Sequence, residues 1–411
     1  MQQQIWAVTV RRSRFDSRQL GVIAVAAIGM LALWSGWGAS TASAQLFGGP
    51  EKDAAKVQKS VPRARPRPKT TPAETVAQKT GPTIEKTKPR GDTPPRVQRA
   101  APAAVTETPR PTTPAEQRQQ VLAGVKSWGY QLRLIRFAEV TASPLDLVVI
   151  DHALSAGRRF IHEFSPEQIA QAKVKPDGSR RIVLAYLSVG EAERYRFYWH
   201  QDWYDASKQP SWLAAMNTVW DGNYLVRFWE PDWQRLIFGS PDSYLQRIKT
   251  AGFDGIYIDR ADAFSEWTKI FPGAEKAMVS FISNLAQSAR ANDPGFLVFM
   301  QNAEELVPHK AILDAIDGIA KEDLFYGIDH KATANDPGTV EWSLQQLRRA
   351  QRVGRKILVV EYLAEIEKAA IARRRAESER FVIHFTSRDL GELMLEAPDR
   401  RPLTPGAPPS R

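Results

Sequence analysis

From Trp128 onward, short apolar runs alternate with longer segments whose apolar residues recur at helical spacing. The runs are Trp128–Leu132, Leu147–Asp151, Arg181–Ser188, Tyr224–Trp229, Gly255–Asp259, Phe296–Asn302, Gly318–Lys321 and Ile357–Tyr362. They are rich in β-branched and aromatic residues, and most lack the alternation of a half-exposed strand. Continuous apolar runs predict strands buried on both faces, as in a parallel sheet. Between them, Pro241–Ala251, Ala274–Ala291 and Val340–Val353 carry helical periodicity. Eight strands separated by helices over roughly 260 residues predict a (β/α)8 TIM barrel rather than an open sheet. A further run, Arg380–Thr386, is either a ninth strand or the true closure of the barrel. The barrel domain is expected over residues 121–396, followed by a disordered Pro-rich tail at 397–411.

Ahead of the barrel the pattern changes twice. Arg11, Arg12, Arg14 and Arg18 precede an uncharged, mostly apolar run from Leu20 to Trp34, and small residues follow, ending in Ala42-Ser43-Ala44. This layout is that of an export signal peptide over residues 1–44, which places the mature chain in the periplasm or beyond. The run is short for a spanning helix, and the alternative is an uncleaved inner-membrane anchor. Residues 45–120 hold thirteen Pro and one aromatic, Phe47. Such a segment buries too little apolar surface to offset the entropy of ordering, so it is expected to be a disordered linker. It acts either as a plain spacer or as a basic tether in contact with an anionic envelope surface.

Charge changes the picture only at the amino-terminal end. The net charge of +10 divides into +3 for residues 1–44, +8 for 45–120 and −1 for the remainder. The folded part therefore offers no case for nucleic-acid binding. Cysteine is absent, which excludes disulfides, thiolate zinc sites and a thiol nucleophile. A monomer is expected.

In a barrel of this kind the site lies at the carboxyl ends of the strands. Those ends carry Asp151, Glu191 and Glu193, Glu230, Asp259 and Asp262, Glu304 with Glu305, Glu322 with Asp323, and Glu361. Like charges crowded at one edge are costly unless something uses them. Three uses fit: a carboxylate pair for glycoside hydrolysis, an oxygen-ligated hard-metal site, or recognition of a cation. The six His are scattered, and no nucleophile elbow, phosphate loop or dinucleotide motif occurs. No cofactor or metal is expected. Trp199, Trp203, Trp212, Trp220, Trp229 and Trp233 cluster with Tyr195, Tyr198, Tyr204 and Tyr224. Aromatic faces with polar edges suit sugar rings and ammonium groups, although about half of these rings are expected simply to pack the core. An acidic, aromatic cleft suits a basic polysaccharide.

The segments Trp128-Gly129-Tyr130-Gln131-Leu132, Ala185-Tyr186-Leu187-Ser188-Val189-Gly190-Glu191-Ala192-Glu193, Gly252-Phe253-Asp254-Gly255-Ile256-Tyr257-Ile258-Asp259, Gln301-Asn302 and Val360-Glu361-Tyr362 resemble glycoside hydrolase family 114. That family is typified by endo-α-1,4-polygalactosaminidases on a (β/α)8 barrel. The resemblance covers residues 122–395 and implies an exported glycosidase acting on a galactosamine-containing, amino-sugar polysaccharide. It departs from the family at Arg260, where Asn often follows the strand-end Asp. A cation there bears on the ionisation of Asp259 and on sugar specificity.

The expected catalytic pair is Asp259 and Glu322, on the fifth and seventh strands, with Asp259 kept ionised by Arg260 and Glu322 as the acid. Retention of configuration is the favoured outcome. Tyr130, Asp151, Tyr186, Glu191, Glu193, Trp229, Asp262, Asn302, Glu304, Glu361 and Tyr362 are expected to bind substrate. The competing class is a non-catalytic barrel that holds cell-surface glycan, tethered by the basic linker.

Overall fold

The computed structural model describes residues 112–156, 159–329 and 331–393. The export signal, most of the linker and the tail expected from the sequence lie outside these residues. Eight strands form one sheet, here β1 (Trp128–Gln131), β2 (Leu147–Ile150), β3 (Ile182–Ser188), β4 (Gly255–Asp259), β5 (Leu297–Gln301), β6 (Gly318–Glu322), β7 (Lys356–Glu361) and β8 (Val382–Phe385). They follow one another in chain order, every neighbouring pair parallel.

Alternate residues of each strand enter two separate apolar clusters. Leu147 and Val149 of β2 join Trp128, Tyr130, Tyr257, Phe299 and Val360, whereas Val148 and Ile150 join the layer shared with the helices. The rings of Tyr130 and Tyr257 lie 5.2 Å apart, and those of Trp128 and Tyr257 6.4 Å apart. Strands β1 and β4 are not neighbours in the sheet, so these rings meet only across its interior. The sheet has therefore curled into a nearly closed, TIM-barrel-like structure filled by side chains. Its seam is held otherwise than by a strand ladder: Trp128 Nε1 donates to Val382 O at 3.0 Å, and the amides of Leu132 and Arg133 both donate to Leu390 O at 3.0 Å.

Two expectations change here. Tyr224–Trp229 is not a barrel strand; Asn223–Val226 is the centre of a three-stranded antiparallel insert, between Glu191–Glu193 and Leu213–Met216. The preceding Asp221-Gly222 is a hairpin signal, and Gly222 sits at φ +93°, the left-handed conformation such a turn demands. The eighth barrel strand is Val382–Phe385 instead. Asp259 thus ends the fourth strand and Glu322 the sixth, not the fifth and seventh. The second change lies at the amino-terminal side, where a helix, Pro114–Ala123, begins inside the stretch expected to be linker. A capping box between Thr113 and Glu116, with Pro114 in the first turn, starts it. Arg118 then anchors it beneath the barrel, donating to Asp317 at 2.8 Å and to Pro294 O at 2.6 Å.

The turn after β3 brings the insert tightly against the turn after β4. A Cβ on Gly190 would collide with the carbonyl oxygen of Arg260 and come within 2.5 Å of Ala263 Cβ. Backbone cannot swing aside as a side chain can, so Gly190→Ala is expected to cost about 1–3 kcal/mol of stability, read as a lowered denaturation midpoint.

Candidate active site

Three consecutive strands end in the same way. Arg260, Asn302 and Asp323, each next after the last residue of β4, β5 and β6, have φ of 60°, 54° and 49°. Non-glycine residues in this region are uncommon and strained, and they gather at functional sites. The bend turns the chain off the barrel immediately after Asp259, Gln301 and Glu322. All three share the inward face of Tyr257, Phe299 and Ala320, two positions earlier on their strands.

Most of the expected carboxylates at this rim are already paired with cations. Asp151 receives both its oxygens' bonds from Arg196 Nη1, at 2.7 Å each, and Arg196 Nε donates to Glu193 at 2.6 Å. Burial works against the charge on Asp151, but the guanidinium outweighs it and holds the carboxyl down to about 2. Arg260 lies among three acids: Glu191 at 2.9 Å, Asp262 at 3.1 Å and Glu266 at 2.5 Å. The contact with Glu191 is an ion pair without a well-aimed N–H, because Nε makes no hydrogen bond. Glu191 also accepts from Asn217 at 2.8 Å and Asn223 at 3.1 Å. Glu304 accepts from Ser343 at 2.8 Å and faces Lys321 Nζ at 3.4 Å. Asp323 is gripped by both Nη atoms of Arg388, at 2.9 and 2.8 Å.

Asp259 and Glu322 are held differently. Asp259 accepts from the Tyr186 hydroxyl at 2.7 Å and from the Arg260 amide at 2.7 Å. Glu322 accepts from the Tyr362 hydroxyl and from Asn302 Nδ2 at 2.9 Å, while Asn302 Oδ1 accepts from the Glu322 amide at 3.1 Å. Burial, and then the charge of Glu322, push the Asp259 carboxyl up to about 7, against the pull of the Tyr186 hydrogen bond. The expectation that Arg260 keeps Asp259 ionised fails because its guanidinium points to Glu191, Asp262 and Glu266. Both carboxylates also raise the buried hydroxyls of Tyr130 and Tyr257, after burial itself, so the two acids flank the same interior tyrosines. Tyr130 in turn donates to Gln301 Oε1 at 3.0 Å.

Tyr130, Tyr186, Asn302 and Tyr362 therefore converge on the pair, whereas other expected ligands do not. Glu361 sits one residue off the inward face. It is fully buried on the helix side, where its carboxylate accepts from the Phe325 amide at 2.8 Å. Trp229 packs edge-on to Trp267, 5.1 Å between ring centres, and against Phe271 at 4.6 Å. Glu230 accepts from Ser211 and precedes the short helix Pro231–Gln234 in the insert's return limb. Of the clustered tryptophans, Trp199, Trp212 and Trp233 are buried, and Trp220 is exposed. Among the described residues, no three His or acidic side chains are grouped as metal ligands.

Sequence reasoning missed Arg196, whose guanidinium lies over Tyr195 at 4.7 Å and Tyr186 at 5.8 Å. The Glu193…Arg196 spacing was its one available signal. Lys321 was also missed as a partner of Glu304; burial disfavours its charge, but Glu304 and then Glu322 raise its pKa overall.

A family model for glycoside hydrolase family GH114 matches residues 106–399. The chain belongs to that family. The chain is 30% identical over 314 residues to an uncharacterized protein of Deinococcus radiodurans, covering 75% of this chain and 95% of that one. An uncharacterized protein of Methanocaldococcus jannaschii is 33% identical over 258 residues, 61% of this chain and 70% of the other. The glycoside hydrolase domain of PelA from Pseudomonas aeruginosa shares the fold, with a TM-score of 0.50 and 19% identity over 66% of this chain and 98% of that one. GH114 membership agrees with the motifs at the ends of β3, β4 and β5.

The outward placement of Glu361 has a thermodynamic consequence. Burial pushes its carboxyl from the ordinary 4.5 up to about 8. The folded protein thus holds a proton that the unfolded chain releases, and stability falls as pH rises from about 4.5 to about 8. Glu361→Gln keeps the acceptor for the Phe325 amide and removes the titration. Its melting temperature relative to the parent is expected to climb across that window and level off above it, as followed by thermal melts.

Proposed function

We propose that the protein is an exported glycosidase that cleaves an α-1,4-linked, galactosamine-containing polysaccharide, with Asp259 and Glu322 as the two reacting carboxyls. One observation carries the choice of pair: these two acids are held by hydroxyls and amides, while Asp151, Glu191, Glu193, Asp262, Glu304 and Asp323 have cationic partners. Glycoside hydrolysis needs one carboxyl protonated toward the leaving oxygen and one ionised toward the anomeric carbon or its attacking water. Burial and the neighbouring charge of Glu322 raise the proton affinity of Asp259, so the pair can supply that state with a single proton. Tyr186, Tyr362 and Asn302 hold the carboxyl planes, and the donors on each oxygen limit rotation away from the sugar.

The substrate class is supported by the balance of charge. Asp151, Glu191, Glu193, Asp259, Asp262, Glu266, Glu304, Glu322 and Asp323 are nine acids, set against Arg196, Arg260, Lys321 and Arg388. Glu191, Glu193, Asp262 and Glu304 are tied to these cations and do not read ammonium groups singly, but the surplus leaves the mouth anionic. An anionic cleft concentrates a polymer bearing free amines.

Asp259→Asn and Glu322→Gln are each expected to lower the rate of reducing-end release from partially deacetylated galactosaminogalactan by about a thousandfold or more, with far-ultraviolet circular dichroism unchanged. A variant that keeps more than about a tenth of the rate, a barrier change under 1.4 kcal/mol, removes that residue from the pair. In the parent, kcat/KM is expected to fall with rising pH above about 7, where Asp259 loses its proton.

The amine preference has a separate test. Free-amine polymer should be cleaved faster than fully N-acetylated polymer at low salt, and the gap should shrink as salt screens the field over about 8 Å at physiological ionic strength. Equal rates at every salt concentration would remove the cationic substrate and leave the glycosidase reading standing.

A further inference from the structure

A cavity opens between the insert and the chain that leads from it to β4. Its volume is about 340 Å³, and Phe197, His200 and Trp203 from the insert line one side of it, with Asp242, Ser243 and Arg247 on the other. The insert leaves the carboxyl end of β3, and Ser243 immediately precedes the helix Tyr244–Thr250 that leads back to β4. Both walls therefore stand at the same end of the barrel as Asp259 and Glu322. Its lining does not include Asp259 or Glu322, and it reaches the rim acids through packed side chains. Phe197 and Tyr244 pack edge-on against His152, at 6.2 and 4.6 Å, and His152 in turn contacts Asp151 at 3.1 Å.

The cavity has the two parts that a sugar ring requires. Trp203 is a half-buried platform fixed by three other rings: Trp199 and Trp212, each edge-on at 5.2 Å, and His200 at 5.0 Å. A pyranose stacks on such a face at little cost in ordering, because the indole is already immobile. The polar side is fixed as well. Arg247 lies over the Phe197 ring at 4.1 Å and donates to Glu163 at 2.9 Å, and the exposed Asp242 accepts from Ser240 at 2.8 Å. Ser243 is 2% exposed, and its hydroxyl has no hydrogen-bond partner. As the residue preceding a helix it would ordinarily cap the first turn, yet it makes no such bond.

We propose that this cavity is an auxiliary saccharide site that holds one hexosamine unit of the polymer, outside the stretch being cleaved. The proposal rests on the polysaccharide reading above. The volume admits a monosaccharide and falls at the lower end for small-ligand pockets. Asp242 faces the amine and the indole of Trp203 takes the ring. Holding a second point on a long chain raises its effective concentration at the catalytic pair without any new contact there. The site therefore acts on polymer and not on short oligosaccharides.

The test uses the full chain and α-1,4-linked galactosamine chains of two lengths, a trisaccharide and a long polymer. Trp203→Ala is expected to raise KM on the polymer about tenfold, with kcat on the polymer and both constants on the trisaccharide unchanged. Ser240→Arg, which fills the cavity from its rim and leaves the aromatic platform in place, should reproduce the effect and guards against simple misfolding of the insert. In the Glu322→Gln background, titration with the trisaccharide followed by tryptophan fluorescence should show two binding events, reduced to one by either cavity variant. If KM on the polymer stays at the parent value in both variants, or one event is seen throughout, the auxiliary site is overturned while the glycosidase reading stands. If the parent protein cleaves neither chain, the substrate reading fails first and this site falls with it.

Discussion

Two carboxylates at one rim, held by hydroxyls and amides and not by an ion pair, set the terms for the rest of this molecule. Their mutual repulsion and their burial keep Asp259 up at about 7. The fold has to hold them together in spite of that cost, and it does so through rigid neighbours. Tyr186 and Tyr362 reach them from β3 and from the end of β7, and Asn302 from the turn after β5. Each comes from a different strand, so the geometry of the pair is a property of the closed barrel and of no single segment.

The same constraint explains the cations around them. Arg196 and Arg260 are buried or nearly so, and each binds more than one acid. Removing charge from water is expensive, and a guanidinium between carboxylates is the arrangement that offsets it. These pairs brace the loops after β2, β3 and β4 against one another. By taking up Asp151, Glu191, Glu193 and Asp262 they leave Asp259 and Glu322 held by hydroxyls and amides instead. The left-handed residues after β4, β5 and β6 belong to the same economy, since local backbone strain is tolerated where packing on all sides dictates it.

The antiparallel insert between β3 and β4 adds a layer that the barrel does not need for closure. It buries Trp212 and Trp233 against the outer core and leaves Trp203 beside a cavity. Much of its aromatic density goes into packing, since Trp203, Tyr224 and Trp229 also lie against the outer core.

Periodicity in the sequence by itself determined the parallel architecture. Strands such as β2 and β7 must be apolar on both faces to sit between a filled interior and a helical layer, and such runs are visible without coordinates. The acids at the strand ends, Asp259 and Glu322 among them, followed from the same reading. Which acids face inward was not legible, because a one-residue shift reverses the face and the run Val360-Glu361-Tyr362 carries no mark of its register. The eighth strand was displaced for a similar reason: Tyr224–Trp229 and Val382–Phe385 look alike locally, and only the pairing partners distinguish an insert from a barrel wall. The pairing of Arg196 with Asp151, and of Arg260 with acids other than its neighbour Asp259, was decided by tertiary structure alone. Electrostatic energy depends on distance in space, and residues 45 positions apart in sequence meet here at 2.7 Å.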